Sequence, residues 1–323
     1  MMNSRIILFR NNKFDKLEHV NILLNLGGLG DLVARLPVIK YIQDNVPNIV
    51  QHVWVPDYAL DLCKNLLPRV IINPFSKGHK KYQHNLPARR AEQPTINTLG
   101  SHLTESAFYN ILNKPVDNKY KNYLSLDITK ININKFNLPK KYVVITTGYT
   151  TKVRELLPKY INEISSFVRE KGYEIVFLGN EKADVGMQNM SIKGNFDETI
   201  DYSVGLNLIN KTSILEAGKI INGSKAIVGL DNGLLHLAAC TDIPIVGGFT
   251  TVHPVLRMPY RHDKLGWNYY PVSLTNEILE CNNCQSSWNF VFDHDFATCY
   301  YKDNKCCELL SSNKYIEELK KIL

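Results

Sequence analysis

The stretch AIVGLDNGLLHLAACTDIPIVGGF, residues 226–249, decides the fold of this 323-residue chain. Its first part, Ala226 to Leu230, is apolar and rich in β-branched residues, which predicts a buried strand. Asp231 to Gly233 interrupts the apolar run with residue types that favour helix N-termini, and apolar residues with helical spacing follow. A second buried strand is predicted over Ile243 to Val246. Strand, polar elbow, helix and strand in this order are typical of a parallel α/β sheet.

The polar elbow is also where such a sheet binds ligands. Ligands collect at the carboxyl ends of parallel strands, where the N–H groups of helix N-termini point at anions. We therefore expect Asp231, Asn232, Gly233 and His236 to lie at a binding site. For His236, the alternative is a helix histidine whose hydrogen bonds are satisfied within the core.

A comparable pattern stands near the N-terminus. Residues 19–25 predict a buried strand, and Gly28 and Gly30 follow it just before Asp31 and an apolar helix. Glycines at this position allow a sharp turn and close approach of a ligand, but they serve plain strand–helix packing equally well. The third glycine of the dinucleotide-binding fingerprint is absent, so that fingerprint does not describe the turn.

Length and element order predict two α/β domains, because single hydrophobic cores rarely grow beyond about 250–300 residues. A polar segment rich in Asn and Lys precedes the strand predicted over residues 142–147, and we place the boundary near Pro139. The expected units are an N-terminal, acceptor-side domain over residues 1–138, a C-terminal domain over residues 139–307, and a terminal helix over residues 308–323. Further helices are predicted over residues 58–67, 101–112, 160–171 and 213–223, and further strands over residues 49–55, 70–73 and 172–179.

Composition excludes several classes of protein. Charged residues make up 21% and apolar residues 44% of the chain, as in ordinary soluble proteins. The apolar run Ile6 to Phe9 is too short for a signal peptide, and no apolar stretch reaches the roughly 20 residues that a membrane span needs. A cytoplasmic protein is therefore expected. The formal charge of +7 permits an acidic partner without requiring one.

Two motifs resemble those of the heptosyltransferase family, glycosyltransferase family nine. Asp231-Asn-Gly-Leu-Leu-His236, with Ile243-Pro-Ile-Val246 further along, resembles the family's nucleotide-sugar motif. Gly30-Asp31 and, a few residues later, Leu36-Pro-Val-Ile39 resemble its N-terminal opening. Two departures stand out: Phe249-Thr-Thr replaces the family's Phe/Tyr-Gly-Pro-Thr, and Leu157-Pro158 replaces its Trp-Pro. The resemblance covers approximately residues 20–45 and 140–310.

The resemblance implies the GT-B architecture, in which two doubly wound Rossmann-like domains face each other across a cleft. It also implies inverting transfer of a sugar from a nucleoside-diphosphate sugar, with an ADP-type donor favoured, to an acceptor hydroxyl without a catalytic metal. Asp31 falls on the position of the general base. The donor contacts that it implies are Gly28, Gly30, Lys152, Arg154, Glu216, Asp231, Asn232, Gly233 and His236. Either Lys152 or Arg154 would contact the diphosphate, and Glu216 would lie near the nucleoside or else be a solvated helix carboxylate.

The most basic stretch of the chain, residues 77–90, is a candidate acceptor site. Its cations are Lys77, Lys80, Lys81, Arg89 and Arg90. They suit an acidic acceptor such as the lipopolysaccharide core, or DNA carrying hydroxymethylated bases, as in some viral glycosyltransferases. A solvated loop is the alternative for the stretch, and a non-catalytic relative that binds a nucleotide sugar is the alternative for the whole chain.

Five of the seven cysteines fall between Cys281 and Cys307. Cysteines clustered in a reducing compartment favour a metal over disulfides. Cys281, Cys284, Cys299 and one of Cys306 or Cys307, with Cys306 preferred, supply four thiolates for tetrahedral zinc or iron, and many members of the family that the chain resembles carry such cysteines. Four thiolates leave no open coordination position, so a structural metal is predicted; free thiols packed as small apolar groups are the alternative.

Overall fold

The computed structural model describes residues 19–24, 28–77, 102–112, 115–148, 152–180, 182–183, 192–193, 199–284, 299 and 301–323. Its strands are β1 (His19–Leu23), β2 (Val50–Val55), β3 (Ile71–Pro74), β4 (Tyr142–Thr146), β5 (Glu174–Leu178), β6 (Lys182–Ala183), β7 (Ile192–Lys193), β8 (Leu206–Asn207), β9 (Ile227–Leu230), β10 (Ile245–Phe249), β11 (Tyr260–Arg261), β12 (Lys264–Leu265) and β13 (Tyr269–Ser273).

Helices connect and cover these strands. The α-helices are α1 (Leu29–Val33), α2 (Leu36–Asn45), α3 (Leu60–Leu66), α4 (Leu103–Leu112), α5 (Pro158–Glu170), α6 (Ile214–Asn222), α7 (Gly233–Ala238), α8 (Lys305–Leu309) and α9 (Ser312–Leu319). Short 3₁₀ turns cover Asp57–Ala59, Phe75–Lys77, Asn118–Tyr120, Asn134–Phe136, Lys152–Arg154, Tyr202–Val204 and Pro254–Leu256. None of these helices is long and apolar enough to cross a membrane.

Two parallel sheets organise the described residues. The N-terminal sheet has the order β1-β2-β3, and the C-terminal sheet has the order β13-β10-β9-β4-β5-β8. All neighbouring strands in both sheets are parallel. In the C-terminal sheet the chain runs outward from β4 to one edge and returns to β9 to build the other half, which is the doubly wound arrangement. The predicted α/β fold with parallel sheets is confirmed.

The apolar strand sequences follow from burial on both faces of the sheet. In β4, Tyr142 and Val144 point into one hydrophobic core, and Val143 and Ile145 point into another. The first core includes the N-terminal sheet, α2 and α4 together with α6 and α7. The second core lies on the opposite face, beneath α5 and α9. The N-terminal sheet and the C-terminal sheet therefore share one core, and the C-terminal unit has a second of its own.

The segment expected to hold the domain linker is packed against the C-terminal unit. The backbone N–H of Tyr123 donates to the Tyr260 carbonyl at 2.9 Å, and that of Leu126 donates to the Cys240 carbonyl at 2.9 Å. The side chain of Asn122 also donates to the Asp263 carboxylate at 2.5 Å. These bonds fix residues 122–126 between the two units.

The terminal helix α9 lies elsewhere than we expected. It packs mainly on α5, β10 and β13 of the C-terminal unit, so the prediction that it packs back toward the N-terminal domain is corrected. The physical reason is its apolar face: Tyr315 and Leu319 are fully buried in the second core, where they help α5 to cover the sheet. Exposing that face by turning the helix toward the N-terminal unit would be costly.

Candidate active site

The candidate site lies where the winding of the C-terminal sheet reverses. β4 and β9 are neighbours although the segments between them build one edge of the sheet. In doubly wound folds this switch point is where ligands bind, at the carboxyl ends of the strands. β4 ends at Thr146 and β9 ends just before Asp231. The Asn232 side chain joins the two ends by donating to Thr146 Oγ1 at 2.9 Å.

Asn232 also shapes the elbow itself. Its side-chain oxygen accepts from the backbone N–H groups of Leu234 at 2.9 Å and Leu235 at 3.2 Å, which makes it the N-cap of α7. Asparagine is among the best N-cap residues because it satisfies N–H groups that have no partner within the helix. The elbow is therefore fixed before any ligand arrives, and a donor contact by Asn232 stays a prediction.

Asp231 is the charged centre of the site. Its side chain is only 10% exposed, and Oδ2 lies 3.7 Å from Arg154 Nη1 and 3.9 Å from Arg257 Nε. His236 Nε2 lies 3.6 Å from the other oxygen, Oδ1. Burial raises the pKa of Asp231, but the His236 imidazole and the two guanidinium groups outweigh it, so the pKa lies well below its usual range. The carboxylate stays ionised at neutral pH.

The structure separates the two candidate cations of the turn Lys152–Arg154. Arg154 faces Asp231, whereas Lys152 is exposed to solvent. Two contacts hold this turn: Thr250 Oγ1 donates to the Val153 carbonyl at 2.6 Å, and the Cys307 thiol lies 3.4 Å from the Lys152 carbonyl. Thr250 is one of the threonines at which the sequence departs from the family pattern, and its hydroxyl supports the turn that carries Arg154.

His236 is buried between the two units. Its Nδ1 atom lies 2.9 Å from the hydroxyl of Tyr123, and the two rings are stacked with centroids 6.0 Å apart. The backbone of Gly30 packs against the imidazole, since a Cβ atom at this position would lie 2.5 Å from His236 Cδ2. Gly30 thus permits close packing, as one reading of the sequence expected, and a donor contact by Gly30 stays a prediction.

Asp31 is carried to the site by the short helix α1. The backbone N–H of Gly28 donates to Asp31 Oδ2 at 3.2 Å, and the carboxylate is half-buried. α1 packs on α7, where a Cβ atom at Gly233 would lie 2.8 Å from Leu29 Cβ. Two glycines, one on each helix, therefore bring the candidate base and the Asp231 elbow into one site.

Glu216 has two partners that account for its position. It forms a capping box with Ser213, whose N–H donates to Glu216 Oε2 at 2.8 Å. Lys135 Nζ lies 2.7 Å from the other oxygen, Oε1. The pKa of Glu216 is lowered, because these hydrogen bonds outweigh burial. A nucleoside contact by Glu216 stays a prediction.

The candidate acceptor residues are only partly described. Lys77 ends the 3₁₀ turn Phe75–Lys77 and is exposed. Lys80, Lys81, Arg89 and Arg90 lie outside the described residues. Their assignment to the acceptor stays a prediction.

Sequence reasoning missed Arg257 and Tyr123. Arg257 lies in the stretch 252–270, which is rich in Pro, Arg and aromatic residues, but no spacing there distinguishes it from Arg261. Arg261 instead donates to backbone carbonyls, among them those of Thr241 at 2.8 Å and Asn268 at 2.9 Å. Tyr123 lies in the segment expected to be a linker, where nothing in the sequence marks a site residue.

The cysteines predicted to bind a metal share one pocket. Cys281, Cys284, Cys299 and Cys306 line it together with Val153 and Thr250, whereas Cys307 turns toward the Lys152 carbonyl. Burial, followed by neighbouring Cys306 and Cys299, raises the pKa of the Cys281 thiol. No three His, Cys, Asp or Glu side chains in the described part of the chain are arranged so that they could hold a metal ion. The four cysteines thus suit a thiolate-bound metal by their chemistry and by lining the same pocket. Their sulfur atoms are not arranged in a coordinating geometry.

Solved structures share this fold. The iron-containing dodecameric glycosyltransferase TibC from enterotoxigenic E. coli H10407 aligns with a TM-score of 0.72 at 18% identity, over 95% of this chain and 76% of TibC. E. coli ADP-heptose lipopolysaccharide heptosyltransferase II aligns with a TM-score of 0.58 at 15% identity, over 94% of this chain and 98% of that chain. A family 9 glycosyltransferase from Veillonella parvula DSM 2008 aligns with a TM-score of 0.59 at 11% identity, over 94% and 97%. The GT-B prediction is confirmed.

Comparisons of sequence give the family. No curated protein matches the chain. The family model for glycosyltransferase family 9 (heptosyltransferase) matches residues 79–280, which is more than half of the chain. The resemblance noted from the two motifs is thereby confirmed, and the chain belongs to glycosyltransferase family 9.

Proposed function

We propose that this glycosyltransferase moves a heptose or a similar sugar from an ADP-sugar to an acceptor hydroxyl, with inversion at the anomeric carbon. The observation that carries the proposal is the buried Asp231 carboxylate between Arg154 and Arg257, at the switch point of the sheet and beside the helix that bears Asp31. The ADP-type donor is supported by TibC, which has been solved in complex with ADP-D-β-D-heptose.

The donor side needs positive charge without a catalytic metal. As the bond between the anomeric carbon and the diphosphate oxygen breaks, negative charge develops on the departing ADP. Guanidinium groups held beside the diphosphate stabilise this charge, and each can donate two parallel hydrogen bonds to phosphate oxygens. Arg154 and Arg257 supply two of them, and Asp231 keeps both side chains in place while it orients sugar hydroxyls.

The acceptor side needs a base. The acceptor oxygen attacks the anomeric carbon opposite the diphosphate, and its proton passes to the Asp31 carboxylate as the new C–O bond forms. The α1–α7 contact supports this role, because it packs the helix that bears Asp31 against the helix that follows the Asp231 elbow. We propose an acidic acceptor, such as the lipopolysaccharide core, bound by the basic stretch 77–90.

The cysteine pocket would hold a structural metal. We propose Cys281, Cys284, Cys299 and Cys306 as ligands of iron or zinc, because all four line one pocket and four thiolates complete a tetrahedral shell. TibC is described as iron-containing, which favours iron. The metal would stiffen the segment that supports Val153 and so the turn bearing Arg154.

Donor identity is tested by incubating the protein with ADP-heptose, UDP-glucose and GDP-mannose, with ADP, UDP and GDP as product controls. A nucleotide at about a hundred times its dissociation constant should stabilise the fold by about 2.7 kcal/mol, which a thermal-shift assay detects. We expect shifts with ADP and ADP-heptose alone, and release of ADP when truncated lipopolysaccharide is added. The anomeric configuration of the product, read by NMR, then tests inversion. Stabilisation by UDP or GDP instead of ADP would overturn the donor assignment.

A further inference from the structure

His236 lies where three segments of the chain meet. It is carried by α7, Gly30 of α1 packs on its imidazole, and Tyr123 comes from the segment between the two units. His236 is 7% exposed and Tyr123 is 6% exposed, so neither side chain relies on water for its hydrogen bonds. Tyr123 and His236 are 113 positions apart in the sequence.

The two nitrogens of His236 face different groups. Nε2 faces the ionised Asp231 carboxylate at 3.6 Å, and Nδ1 faces the Tyr123 hydroxyl at 2.9 Å. A lone pair on Nε2 would be repelled by the carboxylate, whereas an N–H proton there is attracted to it. A neutral imidazole with its proton on Nε2 must accept at Nδ1, and the Tyr123 hydroxyl can donate that bond.

We propose that Tyr123 is a positioning residue that acts through His236: its hydroxyl donates to Nδ1 and thereby fixes the tautomer and orientation in which Nε2–H faces Asp231. The effect on sugar transfer rests on the function proposed above, whereas the tautomer is a property of the protein alone. Through this bond the segment between the units determines that a proton, and not a lone pair, of His236 faces the Asp231 carboxylate.

The position of Tyr123 is itself well determined. Its backbone N–H donates to the Tyr260 carbonyl at 2.9 Å. The side chain of the neighbouring Asn122 donates to the Asp263 carboxylate and accepts from the Asp263 backbone N–H. Burial raises the pKa of the Tyr123 phenol, which keeps its proton available for donation. A Tyr123→Phe substitution therefore removes one hydroxyl and leaves the stacked ring in place.

The tautomer is read directly by NMR of protein labelled with ¹⁵N in its histidines, at pH 8 and without ligand. The His236 signals are assigned by their loss in His236→Gln. We expect a neutral Nε2–H imidazole in the wild type and a mixture of both tautomers in Tyr123→Phe. A wild-type Nδ1–H tautomer or a protonated imidazole at this pH would overturn the proposal.

Kinetics test whether the bond matters for transfer. We expect Tyr123→Phe to lower kcat for ADP-heptose by about tenfold with little change in the acceptor KM, which corresponds to about 1.4 kcal/mol of transition-state stabilisation. If Tyr123 acts through His236, the double variant with His236→Gln should be no worse than His236→Gln alone. Additive losses would show that Tyr123 acts by another route.

The matched control is Tyr142→Phe. It also removes a buried hydroxyl, one that donates to the Ile220 carbonyl at 2.7 Å, and it should reduce the melting temperature without changing either the His236 tautomer or kcat. The tautomer is measured without turnover, so it can be established even if the protein transfers no heptose. If the wild type shows Nε2–H and Tyr123→Phe does not, the positioning role holds, and a failure of heptose transfer would contradict the proposed function and not this inference.

Discussion

Gly30 and His236 meet where α1 packs on α7: a Cβ atom at position 30 would lie 2.5 Å from His236 Cδ2. The two residues belong to the two motifs of the chain, which are separated by about two hundred positions in the sequence. Their contact joins the helix that bears the candidate base to the elbow that bears Asp231. The site is thus assembled by close packing between units.

Gly30→Ala should damage both stability and transfer. The added methyl group must displace the imidazole or separate the helices, and overpacking of this kind costs about 1–3 kcal/mol. We expect kcat to fall at least tenfold, because either movement shifts Asp31 relative to Asp231. Gly172→Ala is the control: its φ of +78° makes alanine strained by about 1–2 kcal/mol, but the space around it is open. If Gly30→Ala and Gly172→Ala lose the same stability and keep the same activity, Gly30 has no special packing role at the site.

Arg154→Ala should weaken donor binding more than Lys152→Ala. Arg154 faces the buried Asp231, whereas Lys152 is exposed. Loss of a charge-assisted contact to phosphate is worth about 1.5–3 kcal/mol, so we expect ADP to bind at least tenfold more weakly to Arg154→Ala. Isothermal titration of both variants with ADP decides the matter. A larger loss in Lys152→Ala would assign the diphosphate contact to the lysine instead.

Asp31→Asn should abolish most of the turnover and preserve the fold. The amide oxygen can still accept the Gly28 N–H that the carboxylate now accepts at 3.2 Å, but it cannot take the acceptor's proton. General-base catalysis contributes about 10²–10⁴-fold, so kcat should fall by a factor in that range while ADP affinity stays unchanged. Wild-type kcat in Asp31→Asn would remove Asp31 from the base role and leave the enzyme class intact.

His102 should make stability depend on pH. Burial lowers the pKa of His102 to about 4, although the Met258 carbonyl and Glu105 act in the opposite direction. Its Nδ1 accepts the Thr104 N–H at 3.1 Å and its Nε2 lies 2.6 Å from the Met258 carbonyl, so the folded protein holds the neutral ring.

The unfolded chain takes up a proton near pH 6.5, which the folded protein does not. Stability from the neutral ring is therefore complete above about pH 6.5 and is lost as the pH falls from 6.5 toward 4. Between pH 7.5 and 5 the wild type should lose about 2 kcal/mol more free energy of unfolding than His102→Gln, which keeps a donor and an acceptor without titrating. Denaturant unfolding at both pH values measures the difference, and parallel losses would show that His102 is protonated in the fold.

Cys281→Ser should lower the metal content of protein purified without a chelator. We expect about one iron or zinc per wild-type chain, and less than half of that in the variant, because three thiolates hold the ion less tightly than four. Cys63→Ala, which alters a buried cysteine of the first core, should keep the wild-type content. Since the pocket also contains Val153 and Thr250, loss of the metal should weaken ADP binding through the Arg154 turn. If wild-type protein contains no metal and still binds ADP with full affinity, the cysteines are free thiols packed as small apolar groups and not metal ligands.

The sequence by itself determined the local structure. The apolar run of β9, the capping type of Asn232 and the helical leucines predict strand, elbow and helix, because each depends on residues next to one another. Pro158 illustrates the accuracy: the helix expected from residue 160 begins at the proline, whose fixed φ suits the first helical turn. Asp231 was placed at the elbow for the same reason, since it stands directly after a predicted strand. The base role of Asp31, which the family resemblance implies, stays a prediction.

The tertiary structure alone decided which distant residues meet. Arg154 rather than Lys152, and Arg257 rather than Arg261, face Asp231. Tyr123, from an expected linker, faces His236. The terminal helix α9 packs on the C-terminal sheet because Tyr315 and Leu319 are buried in the second core, on the face that α5 also covers. Contacts between residues in different elements of the chain depend on the fold as a whole, and no local pattern in the sequence encodes them.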